Sequence, residues 1–497
     1  CLRDRWEAAL DSAQSALGDA GASSRRLQAE ARAFGGDWLE NRVRVQVHVT
    51  NQPDPTFWSP QILPLVGMPD NILRDHRKIV LWDVTEEDPA RGGMILTGMG
   101  VGEHYAGAGW EDRAVIVRGP AAVRMKDAAR DHLLEQGMVD EEIPWVLRPD
   151  LPGPDAAFAR VEGDITDIRA TQLHNLIGFG TKQVSVAKAT LYSLLEPGAV
   201  IKAPDSLWNQ PLWASLLLGS AMRGVRVLII TPSLENAPAA GWPQMARAYE
   251  LASRILVAQD LLASNLEASG VLIRIGLYHP GVVVGDIPGR LDRYLGTLEE
   301  EPWLADLYDL HPAVTDSLGA VVGELRADGF EPRYLTYDWT EPPKLHIKAQ
   351  LMASREGWDH LLAQPEWATI LAQYFRGRAA HVSEDDSYVD FHELSRELAP
   401  TFERLQARFF GNMDPETRSD VEYYLLAGSH NQDYRSMIMD GEVELLISGF
   451  GAVVGLEDFL LLPGLSDWIE TEEELQALLP RPSNFRRRIA RFIRSAL

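Results

Sequence analysis

Two stretches of this chain, 270 residues apart, carry the same features in the same order, and that repetition constrains the fold more than any other property. "DHRKIVLWD" at 75–83 places His76 and Lys78 two residues apart, and "PPKLHIKAQLMAS" at 342–354 does the same with His346 and Lys348. Alternate side chains of a strand share a face, so each histidine is expected beside its lysine. After each pair comes a glycine-containing segment that ends in an acid: "TGMGVGEHYAGAGWED" and "AGSHNQDYRSMIMDGE". Aligning Gly98 with Gly428 sets Asp112 opposite Glu442, fourteen positions on in both copies. Both then run into apolar alternation, "RAVIVRG" and "VELLISG". Strand, glycine turn, acid and strand, found twice, require two copies of one structural unit.

The flanking segments alternate between helical and strand patterns. "PLWASLLLGSAMRGVRVLIITP" reads as an amphipathic helix ending near Gly224, then a strand from Val225 to Ile230. "RLQAEARAFGGDWLENRVRVQVHVT" reads as a helix feeding a strand from Val43 to Val49. The strand "GAVIKAPDS" has no counterpart in the first copy, which is read as lacking an N-terminal piece. The expectation is therefore α/β: two halves, each a mostly parallel mixed sheet flanked by helices. The proline- and aspartate-rich stretch at 143–155 divides them into 1–150 and 151–470. The second half is 60 residues longer between its histidine and its glycine, and a helical insertion over about 355–422 accounts for the excess. The tail, 471–497, ends in a basic amphipathic pattern with Phe485, Ile489, Phe492 and Ile493 on one stripe. That stripe suits either peripheral contact with a membrane or docking on the acidic body of the protein.

Composition narrows the functions. A net charge of −25 disfavours broad affinity for nucleic acid, while leaving room for a small positive pocket. Mean hydropathy is −0.16, and the longest apolar runs, such as "VRVLII", are only strand-length. Cys1 is the single cysteine, so neither a disulfide framework nor a cysteine metal site is available. A cysteine at position 1 is what a processed bacterial lipoprotein of the cell envelope shows, or the chain simply begins there. The alternative location is the cytoplasmic face of a membrane.

His76-x-Lys78, followed after four residues by Asp83, resembles the His-x-Lys-x(4)-Asp signature of the phospholipase D superfamily. "GEHYAGAGWEDRAVIVRGPAA" and "GSHNQDYRSMIMDGEVELLISG" look like its bacterial cardiolipin synthase and phospholipase D members. The likeness runs from about residue 30 to about residue 460, with the insertion unmatched. It implies two α/β halves related by pseudo-twofold symmetry, with one active site at their interface. It also implies a phosphodiesterase that works through a phosphohistidine, without metal or other cofactor.

The chemistry suits the residue types. A phosphodiester repels nucleophiles and needs its developing charge neutralised, which Lys78 and Lys348 can do at the nonbridging oxygens. Of His76 and His346, one attacks phosphorus while the other protonates the leaving alcohol and then activates water or a second alcohol. Each imidazole needs an acceptor to fix its tautomer, and Asp112 and Glu442 are the candidates. Ser429 and Asn431 are expected to touch the phosphate, and His104 and His430 to line the pocket. Asp83 is expected to support rather than react, because its counterpart is Ala353. Gly100 and Asp440 also depart from the pattern, which more often has asparagine or serine at the first and asparagine at the second. The expected substrate is a phospholipid or another phosphodiester. The alternatives are a nuclease of the same fold and a degenerate scaffold without turnover.

Overall fold

The computed structural model describes residues 76–82, 84–85, 92–98, 110–135, 139, 141, 143, 169–175, 182–206, 208, 210–233, 241–265, 273–282, 286–304, 312–329, 344–357, 366–380, 400, 422–433, 436–437, 440–449, 461–479 and 481–492. The strand read at 43–49, Asp83, Gly100 and His104 lie outside these residues. The chain divides into two compact units, 1–75 with 124–153, and 76–123 with 154–497. Every candidate site residue that is described belongs to the second unit.

The strands are β1 (Ile79–Trp82), β2 (Gly93–Thr97), β3 (Trp110–Glu111), β4 (Ala114–Arg118), β5 (Arg169–Asn175), β6 (Val200–Pro204), β7 (Arg226–Pro232), β8 (Ile273–Tyr278), β9 (Lys344–Leu345), β10 (Ala349–Ala353), β11 (Tyr423–Gly428), β12 (Glu442–Ser448) and β13 (Ser466–Ile469). The described helices are α1 (Pro120–Glu135), α2 (Gln183–Leu194), α3 (Pro211–Met222), α4 (Gly241–Asn265), α5 (Ile287–Glu300), α6 (Pro312–Ala327), α7 (Glu366–Ala380), α8 (Glu472–Leu478) and α9 (Asn484–Phe492). None of them is long and apolar enough to cross a membrane.

One eight-stranded sheet runs in the order β13-β8-β7-β6-β10-β11-β12-β5, and a three-stranded sheet in the order β1-β2-β4. The fold is thus α/β, with a mixed sheet flanked by helices. The expectation of mostly parallel sheets needs correction. Within these two sheets β6–β7 and β7–β8 pair in parallel and every other neighbour pairs antiparallel, while β3 and β9 form a separate two-stranded parallel pair. Parallel pairing needs a crossover, and α3 and α4 supply those of β6–β7 and β7–β8.

Local chemistry explains the central elements. Helix α3 starts with Pro211 at its first turn, capped by the Gln210 side chain, which accepts from the Leu212 N–H. The chain turns out of it through Gly224 at φ 93°, a left-handed conformation that glycine adopts without steric cost. Strands β6 and β7 are apolar along nearly their whole length because both faces of the sheet are covered. Ile201, Val227, Ile229, Ile275, Met352 and Leu426 share one face and pack into a core with Tyr192 of α2 and Trp213 of α3. Val200, Leu228, Ile230 and Leu351, of the opposite parity, are buried as well. Trp208 and Trp213 belong to this core. Ala353 sits in β10 between β6 and β11 and is buried, so an ionised aspartate there would be stranded among apolar neighbours.

Part of the insertion is helical, as α7. In the tail, Arg487 of α9 pairs with Glu250 of α4 at 3.1 Å and Ala490 is fully buried, while Phe485 remains 71% exposed.

Candidate active site

The two His-x-Lys motifs lie just before strands β1 and β10 rather than on them, which corrects the strand placement. Their backbone groups bond elsewhere. The His76 N–H donates to the Gly441 carbonyl at 2.8 Å, and the His346 N–H to the Glu111 carbonyl, also at 2.8 Å. In each motif the lysine turns back on its own histidine: Lys78 Nζ donates to the His76 carbonyl at 2.6 Å and Lys348 Nζ to the His346 carbonyl at 2.7 Å. Lys348 also pairs through its backbone with Asp205 at the end of β6.

The histidines and acids are crossed. His346 Nδ1 lies 2.6 Å from Asp112 Oδ2, while His76 Nδ1 lies 3.1 and 3.3 Å from the two oxygens of Glu442. Each acid therefore serves the histidine of the other motif. Asp112 is held by its neighbours: the Arg113 N–H donates to its Oδ1 at 2.8 Å. Glu442 is held by hydroxyls, with Ser436 Oγ donating to Oε1 at 2.7 Å and Ser429 Oγ donating to Oε2.

Electrostatics separates the two imidazoles. Burial, reinforced by the Lys348 charge, pushes His346 down to about 4 although Asp112 pulls the other way. His346 is then neutral near pH 7, with its proton on Nδ1 facing Asp112 and its lone pair on Nε2. Lys348 Nζ lies 2.9 Å from both ring nitrogens, and burial lowers its own pKa against the pull of Asp112, Asp205 and Glu442. For Glu442, burial works upward, but the adjacent His76 charge and hydrogen bond outweigh it and hold the carboxyl at about 2. Lys78 acts on both His346 and Glu442, and Asp112 and Glu442 both act on Lys348, so the two motifs share one electrostatic environment.

The described residues expected to touch the substrate are buried and bonded within the protein. Ser429 is fully buried and its hydroxyl is committed to Glu442, so it positions that acid instead of facing a phosphate. His430 is fully buried too. Its Nδ1 lies 3.2 Å from Lys188 Nζ, its Nε2 lies 3.4 Å from Ser185 Oγ, and its ring stands edge-on to Trp213 at 6.0 Å. Burial holds its pKa well below the usual imidazole value, so it is a neutral core residue and not pocket lining. Asn431 is buried and accepts from Ser206 Oγ at 3.0 Å.

Other residues at the site gave little sequence signal. Trp110 stands edge-on to His346, with ring centroids 5.0 Å apart. Lys188 pairs with Glu444 at 2.7 Å, and burial pushes Glu444 up to about 7 in spite of that lysine. Burial and the charges of Asp440 and Glu442 raise Asp433 to about 6. Among the described residues, His76, Asp440 and Glu442 offer ligand atoms within 4.8 Å of one another. An ion there would compete with the serine hydroxyls and with His76 for the oxygens of Glu442.

No family model matches the sequence, and no curated protein matches it. Among solved structures, the fold is similar to phosphatidylserine synthase of Haemophilus influenzae Rd KW20, at a TM-score of 0.41 and 11% identity, covering 85% of this chain and 70% of that one.

Proposed function

We propose that this chain is a phosphodiesterase of the phospholipase D type, acting on phospholipids by hydrolysis or by transfer of the phosphatidyl group to a second alcohol. One observation carries the reading: two imidazoles, each oriented by the acid of the opposite motif and each with a lysine folded against its own carbonyl. We read the arrangement as a pseudo-twofold pair of halves. What supports this is the recurrence of the same backbone bonds, histidine N–H to the residue before the acid, in both motifs.

In this reading His346 is the nucleophile. Its Nε2 lone pair attacks phosphorus, a P–N bond forms, and the P–O bond to the leaving alcohol breaks. His76, hydrogen-bonded through Nδ1 to Glu442, gives that oxygen its proton. His76 then takes a proton from water or an acceptor alcohol, whose oxygen attacks phosphorus and releases His346. Lys78 and Lys348 neutralise the nonbridging oxygens, a task that needs no metal. A phospholipid is favoured over DNA because the chain carries a net charge of −25. Phe485, Arg486 and Arg488 of α9 are the proposed points of membrane contact.

The test is incubation of the full chain, in chelator, with a panel of phospholipids and with single- and double-stranded DNA. Release or exchange of a lipid head group, lost in His346→Asn, is the expected result. Turnover of DNA alone would favour the nuclease reading, and none on either substrate the scaffold reading.

A further inference from the structure

The residue next to Asp112 is a heavily bonded carboxylate. Glu111 is fully buried. It accepts from Arg290 Nη1 at 2.8 Å and Nη2 at 3.2 Å, from Arg113 Nη2 at 2.7 Å, and from the Tyr278 hydroxyl at 2.9 Å. Burial alone would raise its pKa, but Arg290 and Arg113 outweigh it and hold the carboxyl at about 2. A buried carboxylate with two guanidiniums and a phenol around it has one arrangement open to it, because any rotation strands a charge.

Glu111 touches neither histidine with its side chain, yet both its neighbours and its backbone do. Its carbonyl receives the His346 N–H at 2.8 Å, and the next residue, Asp112, holds His346 Nδ1 at 2.6 Å. Arg113 closes the loop, donating from Nη1 to the Asp112 carbonyl at 2.7 Å as well as to Glu111. Strand β3 adds Trp110 and Glu111 in parallel register with Lys344 and Leu345, which lead directly into His346. At the other histidine the equivalent place is taken by Gly441, which has no side chain to anchor. His76 is accordingly held at 3.1 to 3.3 Å, against 2.6 Å for His346.

The geometry points to Glu111 as a positioning residue, clamped by Arg290, Arg113 and Tyr278, that locks His346 in one place and one tautomer while His76 is left freer. Resting on the reading above, this deepens it by giving the two histidines different mechanical roles. The nucleophile is fixed by an anchored acid strand, and the proton carrier can adjust as the leaving and incoming oxygens change places.

The test uses the full chain with ¹⁵N-labelled histidine, comparing wild type with Glu111→Gln and Tyr278→Phe. NMR reads tautomer and exchange at each ring without any need for turnover, so it decides the proposal even if no phosphodiester is cleaved. Expected is a single Nδ1–H tautomer for His346 in wild type, with mixed tautomers or exchange broadening in both variants and an unchanged His76. If Glu111→Gln fails to fold, Tyr278→Phe decides alone. Where turnover is measurable, formation of the phosphohistidine should fall about 10- to 100-fold in Glu111→Gln, with KM and the breakdown step within about twofold. An unchanged His346 signal in the folded variants, or equal changes at both histidines, would overturn the assignment.

Discussion

His346 carries its proton where Asp112 puts it, and the same is true of His76 and Glu442. An amide at either acid keeps the size but can turn the acceptor toward the ring as a donor, which favours the wrong tautomer. In a serine protease the corresponding change costs about four orders of magnitude. Here the lysines and the second histidine still act, so Asp112→Asn and Glu442→Gln should each lower kcat by about two to three orders with KM nearly unchanged. Steady-state kinetics beside a denaturant melt checks both halves of that statement. The pH profile follows from burial. With His346 lowered from 6.5 to about 4, its neutral form persists well into acid, so the acidic limb of kcat/KM should fall near pH 4. A limb near 6.5 would mean that the nucleophile is not the buried imidazole. The sign for stability is the same. The unfolded chain binds more protons at His346 between pH 6.5 and 4, so this group destabilises the fold as pH falls through that window.

At the level of elements, the two copies are not in the register that their glycines suggest. The Thr97 N–H donates to the Lys78 carbonyl, as the Gly428 N–H does to that of Lys348. The Gly98 N–H donates to the Arg113 carbonyl, as the Ser429 N–H does to that of Val443. Gly428 therefore stands where Thr97 stands, and Gly98 where Ser429 stands. The glycines serve different needs. A Cβ on Gly428 would lie 2.2 Å from the Val443 carbonyl oxygen, whereas one on Gly98 would lie 2.7 Å from Asp112 Oδ1. Gly428→Ala should thus destabilise the sheet by about 1–3 kcal/mol or more, read by chemical denaturation. Gly98→Ala should leave a folded protein with a displaced Asp112 and at least about tenfold lower kcat. If the two variants exchanged these phenotypes, the structural alignment of the copies would be wrong. The sequence made the paired motifs legible because histidine, lysine and acid recur at related spacings. It hid the one-residue shift, because glycine identity says nothing about which neighbour comes too close. It also hid Lys188, Arg290 and Tyr278, whose partners lie far away in the chain and come near only through packing.

Over the whole molecule, the alternation of helix and strand was readable and the direction of pairing was not. Periodicity marks a buried strand such as β10 without saying that its neighbours β6 and β11 run the opposite way. The chain carries a net charge of −25 while its two motifs supply Lys78 and Lys348, so in the proposed function the charge of a phosphodiester is met locally. In the proposed function two lysines supply the charge that a metal would, so activity should survive an excess of chelator unchanged within about twofold. Loss in chelator with recovery on adding a divalent ion would instead point to a cation site, for which His76, Asp440 and Glu442 are the candidates among the described residues. In the proposed function, phosphorus becomes bonded to His346 during turnover. Rapid quenching of the full chain in alkali, during reaction with a phospholipid labelled at phosphorus, followed by peptide mass spectrometry, tests it directly. Label is expected on the peptide bearing His346, accumulating in His76→Asn and absent in His346→Asn. Label on the His76 peptide instead, or turnover with label on neither, would contradict it.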